Sequence, residues 1–160
     1  MRKILFLLFF ATLTVACSKD TPDDQGGSDL SLLHFMGNVS VTPLPESHFN
    51  AFEDPNIGFD LRTEKNGTAT LIMNKIKFVE QMPKRVTFEV RNLSLGTTAD
   101  GQQHFEATTT VPYWNGVPYD PTGDGTYTIH RLLGTISKDK TKLSLSFDCY
   151  TMHVSYIGNH

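Results

Sequence analysis

From Leu32 to the end of the chain, apolar and polar side chains take turns with a period of two, and no other feature restricts the fold as much. Successive side chains of a strand point to opposite faces, whereas a helical face repeats about every 3.6 residues, so this alternation requires strands with one buried side. Leu33, Phe35, Gly37, Val39 and Val41 alternate with His34, Met36, Asn38, Ser40 and Thr42 until Pro43 ends the run. Residues 44–56 hold more prolines and no period, and they read as a connection. Phe59, Leu61 and Thr63 then alternate with Asp60, Arg62 and Glu64, and Asn66-Gly67 precedes a partner strand from Thr68 to Phe78. Asn-Gly between alternating segments predicts a two-residue type I′ hairpin, because both residues tolerate positive φ.

Further along, Val86, Phe88 and Val90 fall on one parity and Leu93 and Leu95 on the other, which predicts a bulge near Asn92. Asp100-Gly101 marks a turn into Phe105, Ala107, Thr109 and Val111. Tyr127 to Ser137 is the next strand, and Leu143, Leu145, Phe147 and Cys149 alternate with Ser144, Ser146, Asp148 and Tyr150. No turn residues part Tyr150 from Met152, so the end reads as one long bent strand or two strands joined at a bend. Seven or eight strands without a helical segment predict an all-β fold, either a single antiparallel barrel or a sandwich. Open strand edges invite association, and pairing the first strand with the last would remove them. Phe35 to Val41 and Val154 to Gly158 alternate alike, as such a pair should.

The N-terminus follows a different logic. Met1-Arg2-Lys3 leads into an apolar or small run from Ile4 to Ala16 that stops at Cys17. A membrane span needs about 20 apolar residues, so this shorter run after two cations predicts a cleaved export signal over residues 1–16. Leu13-Thr14-Val15-Ala16-Cys17 resembles the lipobox of bacterial lipoproteins, with Thr14 where leucine is usual. The resemblance implies that Cys17 receives a diacylglycerol and an acyl chain on its amine. One chain holds a protein to a bilayer marginally and two or more hold it stably, so the expected partner of Cys17 is the membrane itself. Ser18-Lys19-Asp20-Thr21-Pro22-Asp23-Asp24 resembles the acidic signals that send some Bacteroidetes lipoproteins to the outer face. Residues 17–30 read as a flexible tether and 31–160 as one β domain, lipid-anchored at the outer membrane and facing the cell surface.

Several classes of function are disfavoured. With 14 basic and 17 acidic residues the chain has no basic stripe, so nucleic acid is not an expected partner. Its six histidines lack metal-ligand spacing, and Asp120, Gly123, Asp124 and Gly125 lack the alternating acids of a calcium loop. No nucleophile elbow, zinc-protease helix, phosphate loop or paired Cys motif occurs, which points away from an enzyme and from a cofactor. Asp60, Arg62, Glu64, Glu89 and Arg91 share the polar parity and read as a solvated face with cross-strand charge pairs. Cys149 alternates with core positions and reads as a small buried side chain rather than a reactive thiol.

The lipoprotein signal, the first strand with its central Gly37, the Asn66-Gly67 hairpin and the closing Val154-Ser155-Tyr156-Ile157-Gly158 together resemble the Bacteroidetes calycin-like lipoproteins. That resemblance implies an eight-stranded, lipocalin-like barrel without a common ligand or catalytic set. Such a barrel would bind a small, partly apolar ligand in its mouth, lined or filled by Phe35, Val39, Phe59, Leu61, Phe88, Val90, Phe105 and Phe147. The loop from Val111 to Gly125 exceeds structural need, since it carries Tyr113, Tyr119 and the sole tryptophan, Trp114. Aromatics on a loop this long either cap the barrel as a lid or present flat faces to a partner. The second reading of function is therefore an interaction module that grips an envelope protein or a glycan through its outer face and this loop.

Overall fold

The computed structural model describes residues 31–120, 123 and 125–160; Cys17, the signal and the tether lie outside them. Ten strands follow in order: β1 (Leu32–Pro43), β2 (Phe52–Thr63), β3 (Thr68–Ile76), β4 (Val86–Thr97), β5 (Gln103–Thr110), β6 (Tyr113–Trp114), β7 (Val117–Pro118), β8 (Ile129–Ile136), β9 (Lys142–Cys149) and β10 (Met152–Asn159). Leaving out the small hairpin of β6 and β7, each strand pairs antiparallel with the next, and β10 returns to pair with β1. The result is a closed up-and-down barrel of eight strands, the first of the two architectures that alternation allows. The turns 64–67, 98–102 and 137–141 lie at one rim, called the lower rim, together with Ser31 and His160. The connections 44–51, 77–85, 111–128 and 150–151 lie at the upper rim.

Closure happens where β1 meets β10, and it depends on two glycines. Gly37 and Gly158 are cross-strand partners. A Cβ on Gly37 would stand 2.0 Å from the Ile157 carbonyl oxygen, and one on Gly158 would stand 2.2 Å from the Tyr156 hydroxyl. Tyr156 fills the notch they leave. Its ring stacks on Phe59 with centroids 4.1 Å apart, and its hydroxyl is shared between the carbonyl oxygens of Phe35 at 2.8 Å and Ile57 at 3.1 Å. Burial pushes the phenol pKa up to about 12, which keeps it a neutral donor. One side chain from β10 thus ties down β1 and β2 together. Phe105 covers Gly134 of its partner strand in the same way, where an added Cβ would meet the ring at 2.1 Å.

Four bulges bend the strands into a barrel. Asn56 (φ 58°), Lys75 (φ 52°), Asn92 (φ 60°) and Arg131 (φ 53°) sit in the left-handed region, and each is the extra residue where three positions oppose two. Extra residues of this kind raise the local twist and switch the inward parity. The bulge expected near Asn92 is present. The Asn56 bulge was not foreseen, and it explains why β2 begins at Phe52 rather than near Phe59: the alternation reverses across it, which hides the upper part of the strand. Asp54 consequently faces inward and is buried, where Arg85 clamps both its oxygens and donates to the Lys75 carbonyl at 3.1 Å. A buried carboxylate needs this full partnership.

The turns correct two expectations. At Asn66-Gly67 the amide of Gly67 donates to the Glu64 carbonyl at 3.0 Å and only Gly67 has positive φ (80°), so Lys65 and Asn66 form a type I turn followed by a left-handed glycine. The Asn66 side-chain oxygen accepts from the Thr68 amide and hydroxyl and so favours this longer loop. At the other site, the expected bend at Tyr150 is a complete reversal: Cys149 pairs with Met152, and Tyr150 takes φ 58°. Packing against Phe49, at 5.7 Å between ring centroids, holds Tyr150 in a conformation its residue type disfavours. In the 137–141 turn, Asp139 accepts from the Ser137 hydroxyl and from the Thr141 hydroxyl and amide, which pulls its pKa down to about 2.

Three outcomes follow for stability. Tyr156→Phe should cost about 1–3 kcal/mol in urea unfolding, because it strips a buried hydrogen-bonded hydroxyl, and Gly37→Ala should cost about as much or more through overpacking against backbone. For Asp139 the folded pKa lies below the unfolded value near 3.8, so its contribution is present above pH 4 and fades as pH falls toward 2. Asp139→Ala should lower stability at neutral pH yet approach the parent as pH falls below about 2, and a carboxyl NMR titration midpoint near 4 instead of about 2 would refute the account.

Candidate functional site

The barrel carries its own filling. Phe35, Val39, Phe59, Leu61, Phe88, Val90, Phe105 and Phe147 all point inward and are at most 2% exposed, joined by Tyr156, Met73 and the leucines of β3 and β9. Phe78, from the connection after β3, drops into the upper interior, where it stacks on Phe88 at 5.4 Å and meets Phe147 edge-on at 6.2 Å. Two clefts among the described residues lie on the outside of the wall. One of about 440 Å³ runs over Ser144, Ser146 and Ser155 between the exposed ridges of Leu133 and Ile157, and another of about 500 Å³ covers the Asn56 and Lys75 bulges.

The aromatic loop is built, not slack. β4 and β5 pair only through Leu95–Phe105, Gly96–His104 and Thr97–Gln103, then separate. Pairing with β4 resumes two residues out of register at Glu89–Tyr113, so β6 takes over the β5 side of the seam along the upper part of β4. There Asn115 (φ 50°) and Gly116 (φ 82°) make the type I′ turn that the sequence suggested at the other Asn-Gly, and Tyr113–Pro118 and Trp114–Val117 are the cross-strand pairs. The Tyr119 amide donates to the Pro112 carbonyl at 2.7 Å and closes the base of the hairpin.

Its three aromatics have different tasks. Tyr113 lies under the Arg91 guanidinium, 4.3 Å from the ring centroid, while Arg91 also pairs with Glu89 at 2.6 Å. Tyr119 turns inward and half-buries itself against Phe88 at 5.1 Å and Tyr127 at 4.9 Å, so it acts as the lid over the core. Trp114 touches Tyr119 edge-on, with centroids 5.5 Å apart and planes at 76°, and it remains 41% exposed. Beside it Val117 is 59% exposed. A line of rings therefore runs from Phe147 through Phe78, Phe88 and Tyr119 to an indole at the surface.

The charged face also differs from expectation. Arg62 pairs with Glu64 at 2.9 Å and Arg91 with Glu89, each two positions away along the chain rather than across strands. Asp60 does bind across strands, to His34 and to the Asn74 amide. Asp148 is buried on the outer face between Arg131 and His153, a pairing that the Arg131 bulge aims and that no spacing in the sequence revealed. The Cys149 thiol is wholly buried, and desolvation pushes its pKa up to about 12, so it stays protonated and inert. Among the described residues no three His, Cys, Asp or Glu side chains gather as metal ligands, and no helix is long and apolar enough to cross a membrane.

No protein-family model, curated protein or solved structure matches the chain.

The division of labour between the two exposed-loop aromatics is measurable. Tyr119→Ala should cost about 2–3 kcal/mol in unfolding free energy, because it uncovers Phe88, whereas Trp114→Ala should cost under about 1 kcal/mol, as at a surface position. Equal losses at both positions, measured by urea denaturation, would contradict the assignment of lid and platform.

Proposed function

We propose that this protein is a lipid-anchored lipoprotein of the cell envelope whose calycin-like barrel is a rigid, non-enzymatic scaffold for binding a partner through the upper hairpin. The observation that carries the reading is the contrast between a barrel interior occupied by its own side chains and an indole left exposed at the rim on a well-braced hairpin. A barrel that stores a small apolar ligand would need an empty chamber. Here Phe78, Phe88, Phe105 and Phe147 take up that volume, and Tyr119 covers it. The interaction reading needs no chamber, only a fixed display surface, and binding energy concentrates at such aromatic anchors.

The geometry also fits an anchor at Cys17. The described chain enters β1 at the lower rim, at Ser31, and the Trp114 hairpin stands on the opposite rim. Acyl chains at Cys17 would then leave the hairpin facing away from the bilayer, toward whatever the envelope presents. Mass spectrometry of protein extracted from membranes should find Cys17 as the acylated N-terminus, and Cys17→Ser should release the protein into the soluble fraction. An unmodified, soluble parent protein would defeat the anchoring part of the proposal.

A further inference from the structure

We propose that the ligand of the Trp114 hairpin is a glycan, with the indole as the platform for one sugar ring and the Asn115 amide beside it as a hydrogen-bonding group; this rests on the interaction reading above. Three observations select that class. The first is size. Among the described residues the exposed apolar surface of the hairpin amounts to Trp114, Val117 and Pro118, with Val111 at its foot. A stable protein interface hides about 800 Å² per partner around a contiguous apolar centre, more than one indole and three small side chains offer, whereas a sugar ring covers about one indole face.

The second observation is charge. Arg91, the described cation beside the hairpin, is already engaged by Glu89 and by the Tyr113 ring, while Asp120 accepts only the Gly125 amide at 3.2 Å. A phosphate would find no free counter-charge on the hairpin, while a neutral polyol needs none. The third is preorganisation. Tyr119 meets the indole with ring planes 76° apart and is itself set into the core, so the indole is buttressed without parallel stacking, and the type I′ turn fixes the Asn115 backbone. The Asn115 side chain is exposed, has no hydrogen-bond partner among the described residues, and follows the indole directly in the chain with donors and an acceptor to offer. An aromatic face with an adjacent amide suits the apolar face and equatorial hydroxyls of a pyranose.

The chain holds a single tryptophan, so its intrinsic fluorescence reports on this site alone. The mature protein should be titrated with a β-glucan, a xylan, a starch-type α-glucan, a mannan and a chitin oligosaccharide, and run in gels containing each. At least one should shift the emission saturably and retard the protein, and Trp114→Ala should weaken that retardation roughly tenfold or more at unchanged thermal stability. Trp114→Phe should recover part of it. No response to any of the five overturns the glycan. Photo-crosslinking from benzoylphenylalanine at position 114 in the native envelope then separates the two levels: a trapped protein leaves the interaction reading standing without the glycan, and no adduct alongside no glycan response overturns both.

Discussion

Everything in this molecule depends on closing a twisted sheet on itself, and the closure is made at one crowded point. Two strands can approach as β1 and β10 do only if the facing positions carry no side chains, so Gly37 and Gly158 stand opposite each other. A bare backbone pair would leave a hole in the wall, and the Tyr156 ring fills it while its hydroxyl serves two carbonyls on β1 and β2. Closure removes the two long edges that an eight-stranded sheet would otherwise expose.

Bending the strands far enough to meet is the work of the four bulges. Their distribution explains how much of the fold can be read from residues. Alternation is a local signal and survives wherever a strand runs straight, so the eight strands, their one-sided burial and the Asn92 bulge are all legible. A bulge at an asparagine between two apolar runs of opposite parity announces itself. Bulges at Lys75 and Arg131 do not, because neither residue type favours the left-handed region and the parity switch falls near a strand end. The upper half of β2 was illegible for a related reason: Pro55 and the Asn56 bulge break the period, and Asp54 is a carboxylate in an inward position that only Arg85, distant in sequence, makes tolerable.

The two Asn-Gly dipeptides illustrate the same limit at the level of turns. Both residues of Asn115-Gly116 take positive φ in a two-residue turn, whereas at Asn66-Gly67 only the glycine does. The difference is Thr68, whose amide and hydroxyl both reach the Asn66 oxygen and draw the loop out by a residue. Dipeptide preference proposes the turn, and the neighbouring donors decide its length. The candidate site was legible in outline for the opposite reason: three aromatics in a loop rich in Gly and Pro have no strand to serve, so they stand out. Their separation into a lid, a cation-bearing ring and an exposed platform was not legible, since it depends on β6 re-pairing with β4 two residues out of step.

That re-pairing has a consequence for how a filled barrel can still act. A lipocalin-like barrel with an open mouth keeps its function inside, and its rim loops must move to admit a ligand. In this chain the interior is spent on packing, and the same packing reaches the rim through Phe88 and Tyr119. The indole at the end of that line of rings is therefore held by the core without belonging to it. Affinity then need not be offset by ordering the site at each encounter, because the ordering was completed when the barrel closed.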